Sequence, residues 1–173
     1  MLAVIIDERI DELCDYTGVK SCSELSLLVG DLLHFQLKEF SSIGVTEFVY
    51  LSEWNTPEKE GVLCFSDVLS FNKFLRECTD DTIVLVFSNV YFELNEKYIN
   101  DNFLNLLPVR ITNSEGIVSC FVVNKQDLLN KIDLTGVSTL IFDMKNVECK
   151  SIVAGEASTA SGAMVIANPA AGE

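Results

Sequence analysis

Short, solidly apolar runs alternate along this chain with stretches in which apolar residues return every three or four positions. Leu2 to Ile6 is the first such run, and an uninterrupted apolar run of this length predicts a strand buried on both faces. Leu27, Leu28, Leu32, Phe35 and Leu37 then recur at helical spacing, with Ser23, Glu24 and Ser26 as N-terminal chemistry and Phe40 as the end before Gly44. Thr46 to Leu51 (TEFVYL) is β-branched and aromatic, which predicts a second strand, and Glu53 to Gly61 reads as a polar loop. A helix is predicted from about Ser66 to Cys78, then a turn at Asp80 and Asp81. Thr82 to Phe87 (TIVLVF) is the strongest strand signal. Glu96 to Leu107 reads as a helix stopped by Pro108, Ile117 to Val123 as a strand, and Lys125 to Ile132 as a helix.

Strands and helices in alternation predict an α/β fold with a mostly parallel sheet flanked by helices. Ligands of such sheets bind outside the carboxyl ends of the strands. The loops that begin at Asp7, Glu53 and Ser88 are therefore the places for functional residues.

Composition narrows the partners. The 173 residues carry 12 Lys+Arg against 26 Asp+Glu, a formal net charge of -14, which disfavours nucleic acid and anionic membrane surfaces. No stretch approaches the roughly 20 apolar residues of a membrane span, and the N-terminal run lacks the basic start of a signal peptide. Cys14, Cys22, Cys64, Cys78, Cys120 and Cys149 form no C-x-x-C pair, and His34 is the one histidine, so no zinc site is predicted. The cysteines read as reduced thiols, and the expected location is cytoplasmic.

Two segments, LLVGDLLHFQLKEFSSIGVTEFVYL (Leu27 to Leu51) and DDTIVLVFSNVYFEL (Asp80 to Leu94), resemble the sugar-1-phosphate nucleotidyltransferases. The resemblance implies a Rossmann-like nucleotidyltransferase-type sheet over residues 1–136. It also implies where the chemistry would sit. Transfer of a nucleotidyl group relies on positioning and on charge neutralisation by backbone amides, cations and Mg²⁺. The family's Gly-rich loop after the first strand is replaced here by DERIDELCDYTG, with Gly18 as its one glycine and Asp7, Glu8, Asp11, Glu12 and Asp15 as carboxylates. Such a loop repels a triphosphate and denies it close backbone approach. Arg9 remains as a phosphate contact. Ser21 and Cys22 stand where the resemblance places a Pro-Lys pair, with Lys20 nearby, and Gly30 and Asp31 stand where a Lys-Pro pair is usual. Asn89, after Ser88, matches the family's metal-binding Asp, and an amide is a poorer Mg²⁺ anchor than a carboxylate. No cofactor is expected, with Mg²⁺ entering only if the chain is active.

After Gly136 the chain turns rich in Ala, Gly and Ser. Ile141, Val147, Val153, Thr159, Val165 and Ala171 fall at intervals of six, the spacing of a left-handed parallel β-helix. This resembles the hexapeptide repeats that follow many sugar nucleotidyltransferase domains. Residues 137–173 are accordingly expected to begin such a β-helix, cut short, with more polypeptide to follow and with homo-oligomers formed through it. A flexible tail is the competing expectation.

The candidate ligand-binding residues are Arg9, Lys20, Trp54, Ser88, Asn89 and Glu93, with no catalytic or metal-binding residue among them. Trp54 could stack on a base or sugar, or simply anchor its loop. The expected function is a catalytically silent nucleotidyltransferase-like domain, regulatory or scaffolding, in nucleotide-sugar or cell-surface polysaccharide biosynthesis. Its expected ligand is a nucleotide or nucleotide sugar. Two alternatives stand beside it: an active enzyme using Arg9, Lys20 and Glu93, and the N-terminal extension of a hexapeptide-repeat acyltransferase.

Overall fold

Leu2–Ile6 forms β1, every residue of it buried, near the middle of a seven-stranded sheet. The computed structural model describes residues 1–28, 30–94, 108–132, 135–153 and 155–159. After β1 come α1 (Asp11–Thr17), a short 3-10 turn (Cys22–Glu24), α2 (Leu32–Ser42), β2 (Glu47–Leu51), β3 (Val62–Phe65), α3 (Val68–Glu77), β4 (Thr82–Phe87) and β5 (Val90–Leu94). The later elements are β6 (Val109–Thr112), β7 (Val118–Asn124), α4 (Lys125–Ile132), α5 (Val137–Lys145), β8 (Lys150–Val153) and β9 (Gly155–Thr159).

The sheet order is β3-β2-β1-β4-β7-β6-β8. Strand β7 runs antiparallel to both its neighbours, and the remaining pairings in the sheet are parallel. Right-handed crossovers set α2, between β1 and β2, and α3, which carries the chain back to β4, on opposite faces. The core follows from this layering: β1 and residues 83–87 of β4 are almost wholly inaccessible, because a central parallel strand is covered on both sides. A second, two-stranded sheet pairs β5 with β9. It leans on α2 through Phe92 against Phe40 (5.1 Å between ring centroids) and Tyr91 stacked on Phe35 (4.5 Å).

The mostly parallel α/β sheet expected from the sequence is present. Several elements differ from expectation. The acid-rich stretch after β1 contains α1, with Asp11 and Glu12 in its first turn, where carboxylates suit the helix dipole, and Gly18 closing it at φ 76°. The helix expected from Ser23 begins only at Leu32. Gly30 (φ 82°) breaks any helix before it, and Asp31 caps the new one by accepting a hydrogen bond from His34 N at 2.8 Å. Strand β3 lies between the loop read to Gly61 and the helix read from about Ser66, in residues for which no element was expected. The helix expected at 96–107 lies outside the described residues.

The largest correction concerns the expected β-helix. Ile141 is on the buried side of α5 beside Val137, Leu140 and Met144, all members of the main core. Val147 follows the helix, and Val153 ends β8, which extends the main sheet by pairing with β6. Thr159 ends β9, paired with Val90 of β5. Three successive hexad positions thus sit on a helix, in a connection and at a sheet edge: Ile141 and Val147 pack on the main core of the sheet, while Val153 is largely exposed. Residues of α5 and β8 pack on the same core and pair in the same sheet as the elements before Gly136. Val165 and Ala171 lie outside the described residues.

All six cysteines are free thiols, and among the described residues no helix is long and apolar enough to cross a membrane.

Candidate functional site

Ile6, Leu51 and Phe87 lie side by side in the parallel register of β1, β2 and β4. The next residues, Asp7, Ser52 and Ser88, therefore reach the carboxyl ends of three adjacent strands at one level. Backbone bonds keep them there: Asp7 N donates to Leu51 O (2.9 Å), Ser88 N to Ile6 O (2.9 Å) and Ser52 N to Phe65 O (3.0 Å).

Neighbouring strands are about 4.8 Å apart, close enough for serine side chains to reach a carboxylate on the middle strand. Ser88 Oγ donates to Asp7 Oδ1 at 2.8 Å and Ser52 Oγ donates to Asp7 Oδ2 at 2.7 Å. A third hydroxyl, Ser21 Oγ, comes from the loop before the 3-10 turn and donates to Asp7 Oδ1 at 2.6 Å. Asp7, Ser21 and Ser88 are fully inaccessible to solvent and Ser52 nearly so. Hydrogen bonds to an ionised acceptor are the stronger kind, and here they replace the water that the buried carboxylate has lost.

A second layer surrounds this centre. The Tyr50 hydroxyl lies 3.0 Å from both Ser21 Oγ and Ser23 Oγ. Ser52 Oγ accepts from the backbone N–H groups of Trp54 (3.2 Å) and Asn55 (3.0 Å), which folds the start of the 53–61 loop inward. Ser88 Oγ accepts from Glu8 N at 3.1 Å. Gln36, buried on α2, donates to Phe87 O (3.1 Å) and Val90 O (2.8 Å), so the turn that carries Ser88 and Asn89 is held from beneath.

Helix α5 bridges two of the same loops. Glu53 Oε1, after β2, accepts from Val137 N at 3.3 Å, an acidic partner for the helix's first amide. At the other end, Lys145 Nζ pairs with Glu8 Oε1, after β1, and sits 5.5 Å above the centre of the Phe87 ring. Nine residues of helix span about 13 Å, enough to reach across two strand spacings.

Burial, followed by the charge of Asp7, pushes the Tyr50 phenol up from its ordinary value. Burial also pushes the thiols of Cys22 and Cys120 up from 9.0 to about 12. The folded state keeps these protons while the unfolded chain releases its own near 9.0, so between those values the unfolded state binds fewer protons and stability falls as pH rises. Urea unfolding from about pH 9 to about pH 11 should therefore show declining stability, with a shallower decline in Cys120→Ala. An equal slope in that variant would show that Cys120 does not carry the effect.

The candidate residues divide. Ser88 is a member of the Asp7 centre, Trp54 joins it through its backbone, and Asn89 is buried beside it with Oδ1 lacking a hydrogen-bond partner. Arg9 turns outward, its Nε donating to Asp11 Oδ1 at 2.6 Å. Lys20 is exposed, and its backbone N–H donates to Glu24 Oε2. Glu93 is on β5, in the two-stranded sheet, where it accepts from the Tyr91 hydroxyl at 3.0 Å. Sequence reasoning missed Asp7 as a buried hub, together with Ser21, Ser52 and Lys145. The available signal was a polar residue directly after each of three parallel strands, but serine is too common in loops to stand out.

The arrangement does not suit Mg²⁺. Both oxygens of Asp7 are engaged by serine hydroxyls in a sealed position, and Asn89 presents only a neutral amide oxygen. At the opposite, amino ends of the strands, Glu47, Cys78 and Asp80 bring ligand atoms within 4.8 Å of one another, a grouping invisible in the sequence. There Asp80 already pairs with the Met1 ammonium at 3.1 Å.

Solved structures give this architecture a context. The chain superposes on UDP-glucose pyrophosphorylase from Acinetobacter baumanii with a TM-score of 0.64, at 6% identity, covering 96% of this chain and 90% of that one. It is similar to 2-C-methyl-D-erythritol 4-phosphate cytidylyltransferase from Thermus thermophilus (TM-score 0.59, 10% identity, 99% and 98% covered). It is also similar to a nucleotidyl transferase from Methanothermobacter thermautotroptrophicus (TM-score 0.56, 14% identity, 94% and 88% covered). The fold is nucleotidyltransferase-like. No protein-family model matches the chain, and no curated protein sequence matches it either. At these identities the nucleotidyltransferase-like fold is shared while the site has to be read from this chain's own residues. The coverage of the last-named structures also includes most of this chain's length, in keeping with the placement of α5 and β8 inside the domain.

Proposed function

We propose that this chain is a catalytically silent nucleotidyltransferase-like domain with a regulatory or scaffolding role in nucleotide-sugar or cell-surface polysaccharide biosynthesis. It binds a nucleotide sugar as a signal and does not form one. The observation that carries this reading is Asp7. Nucleotidyl transfer needs positive potential and free backbone amides around phosphoryl oxygens. At the carboxyl end of β1 this chain instead buries a carboxylate whose hydrogen-bonding side-chain partners are the neutral hydroxyls of Ser21, Ser52 and Ser88. Three of the basic side chains on these loops and on α5 are matched by acids: Arg9 by Asp11, Lys145 by Glu8, and Lys59 by Asp31 at 3.3 Å. Fold likeness to enzymes of nucleotide-sugar metabolism supports the ligand class and the setting.

Calorimetric titration with UTP, dTTP and GTP and with the corresponding nucleotide sugars, each with and without Mg²⁺, tests the proposal. The expected result is heat from a nucleotide sugar in the absence of Mg²⁺ and none from Mg²⁺–triphosphate. Magnesium-dependent triphosphate binding would contradict silence and favour an active site built from atypical residues. Absence of heat from every ligand would remove the sensing part and leave scaffolding alone.

A further inference from the structure

Lys145 is the basic residue that α5 delivers to the junction of β1 and β4, and its counter-ion comes from the chain itself. Its Nζ pairs with Glu8 Oε1, and Glu8 N–H is bonded to Ser88 Oγ, so the pair is tied to the Asp7 centre by one hydrogen bond. The Phe87 ring, 5.5 Å from Nζ, holds the ammonium at this place by cation–π attraction. The Lys145 side chain is 47% exposed and that of Glu8 20%, so an incoming anion can meet the ammonium without α5 leaving the core. One donor in the loop after β2, Trp54 Nε1, is buried without a hydrogen-bond partner.

We propose that Lys145 is the anion-binding residue at the carboxyl ends of β1 and β4, and that Glu8 is a built-in competitor which the diphosphate of a nucleotide sugar displaces. This rests on the sensing role given above and adds how the site is gated. In the free protein Glu8 neutralises Lys145 and closes the end of α5 against β1. The diphosphate takes over the ammonium, Glu8 is released to solvent, and the attachment of α5 to the β1 loop is broken. Because α5 leads into β8, the bound state is marked in the segment that completes the sheet edge.

The test is equilibrium binding of inorganic pyrophosphate and, separately, of UDP-glucose to the whole chain and to Glu8→Gln and Lys145→Met, without Mg²⁺. Removing the competitor should tighten pyrophosphate binding roughly five-fold, the scale set by one partly exposed ion pair. Lys145→Met should weaken it by about ten-fold or more. Circular dichroism melts within a few degrees of the parent show that both variants are folded. The same ranking for UDP-glucose identifies a nucleotide sugar as the source of the diphosphate, and the ranking with pyrophosphate alone identifies a free diphosphate; both support the gate. Unchanged affinity in Glu8→Gln, undiminished affinity in Lys145→Met, or no binding to any form would overturn it. Pyrophosphate formation from triphosphate and sugar phosphate would instead overturn catalytic silence and leave the role of Lys145 standing.

Discussion

Asp7→Ala is expected to lower folding stability by about 4 kcal/mol, at the upper end of single substitutions. Three buried serine hydroxyls lose a charged acceptor, at about 1.5–3 kcal/mol for each such bond, and a cavity remains. Two effects reduce the sum. The hydroxyls can rotate toward one another, and the desolvation penalty of a buried charge disappears. Asp7→Asn keeps the shape and should lose about half as much, since its amide oxygen still accepts hydroxyl donors while its NH₂ opposes one. Urea unfolding with an unchanged m-value measures both. A variant as stable as the parent, or more so, would mean that Asp7 is held at a cost to folding, as functional groups often are. That result would reopen the search for a ligand or cation at the end of β1.

Leu140→Ala is the second large effect, about 3 kcal/mol, because Leu140 is fully buried on α5 within the main core. It should appear as one cooperative transition shifted as a whole, since α5, β8 and the sheet are one unit. A separate early transition, with the remainder of the protein unmoved, would place residues from 137 onward outside the domain.

These two residues also mark what the sequence made legible. Burial on both faces leaves an unbroken apolar run, and β1, β4 and β7 could be read directly for that reason. Helix α4 was legible because its apolar face repeats over eight residues with Asn124 at its start. Helix α1 was not: only Leu13 and Cys14 are buried, too few to show a period, and its carboxylates read as a loop. Strand β3 is a four-residue edge strand with no fully buried position, so neither length nor alternation announces it.

The spacing of six near the C-terminus shows the opposite hazard. Ile141 answers to the helical packing of α5, Val153 is a largely exposed strand end, and their separation is a by-product of two different constraints. A period taken from one residue per six samples too few positions to separate a repeat from a helix followed by a strand. The site was half legible. Strand ends are where a parallel sheet brings its loop residues together, and Ser88, at the end of β4, is one of those that meet Asp7. Asp7 was read as one of several solvated carboxylates, because the hydroxyls that satisfy it come from positions 21, 52 and 88 and only the fold brings them together.

Catalytic silence is tested most directly by pyrophosphate release from UTP, dTTP, CTP or GTP with glucose 1-phosphate and Mg²⁺, comparing the parent chain with a buffer blank and with Asp7→Asn. The predicted result is release indistinguishable from the blank in both proteins. Magnesium-dependent release by the parent that Asp7→Asn abolishes would contradict the account, and would make the buried carboxylate a working part of an active nucleotidyltransferase.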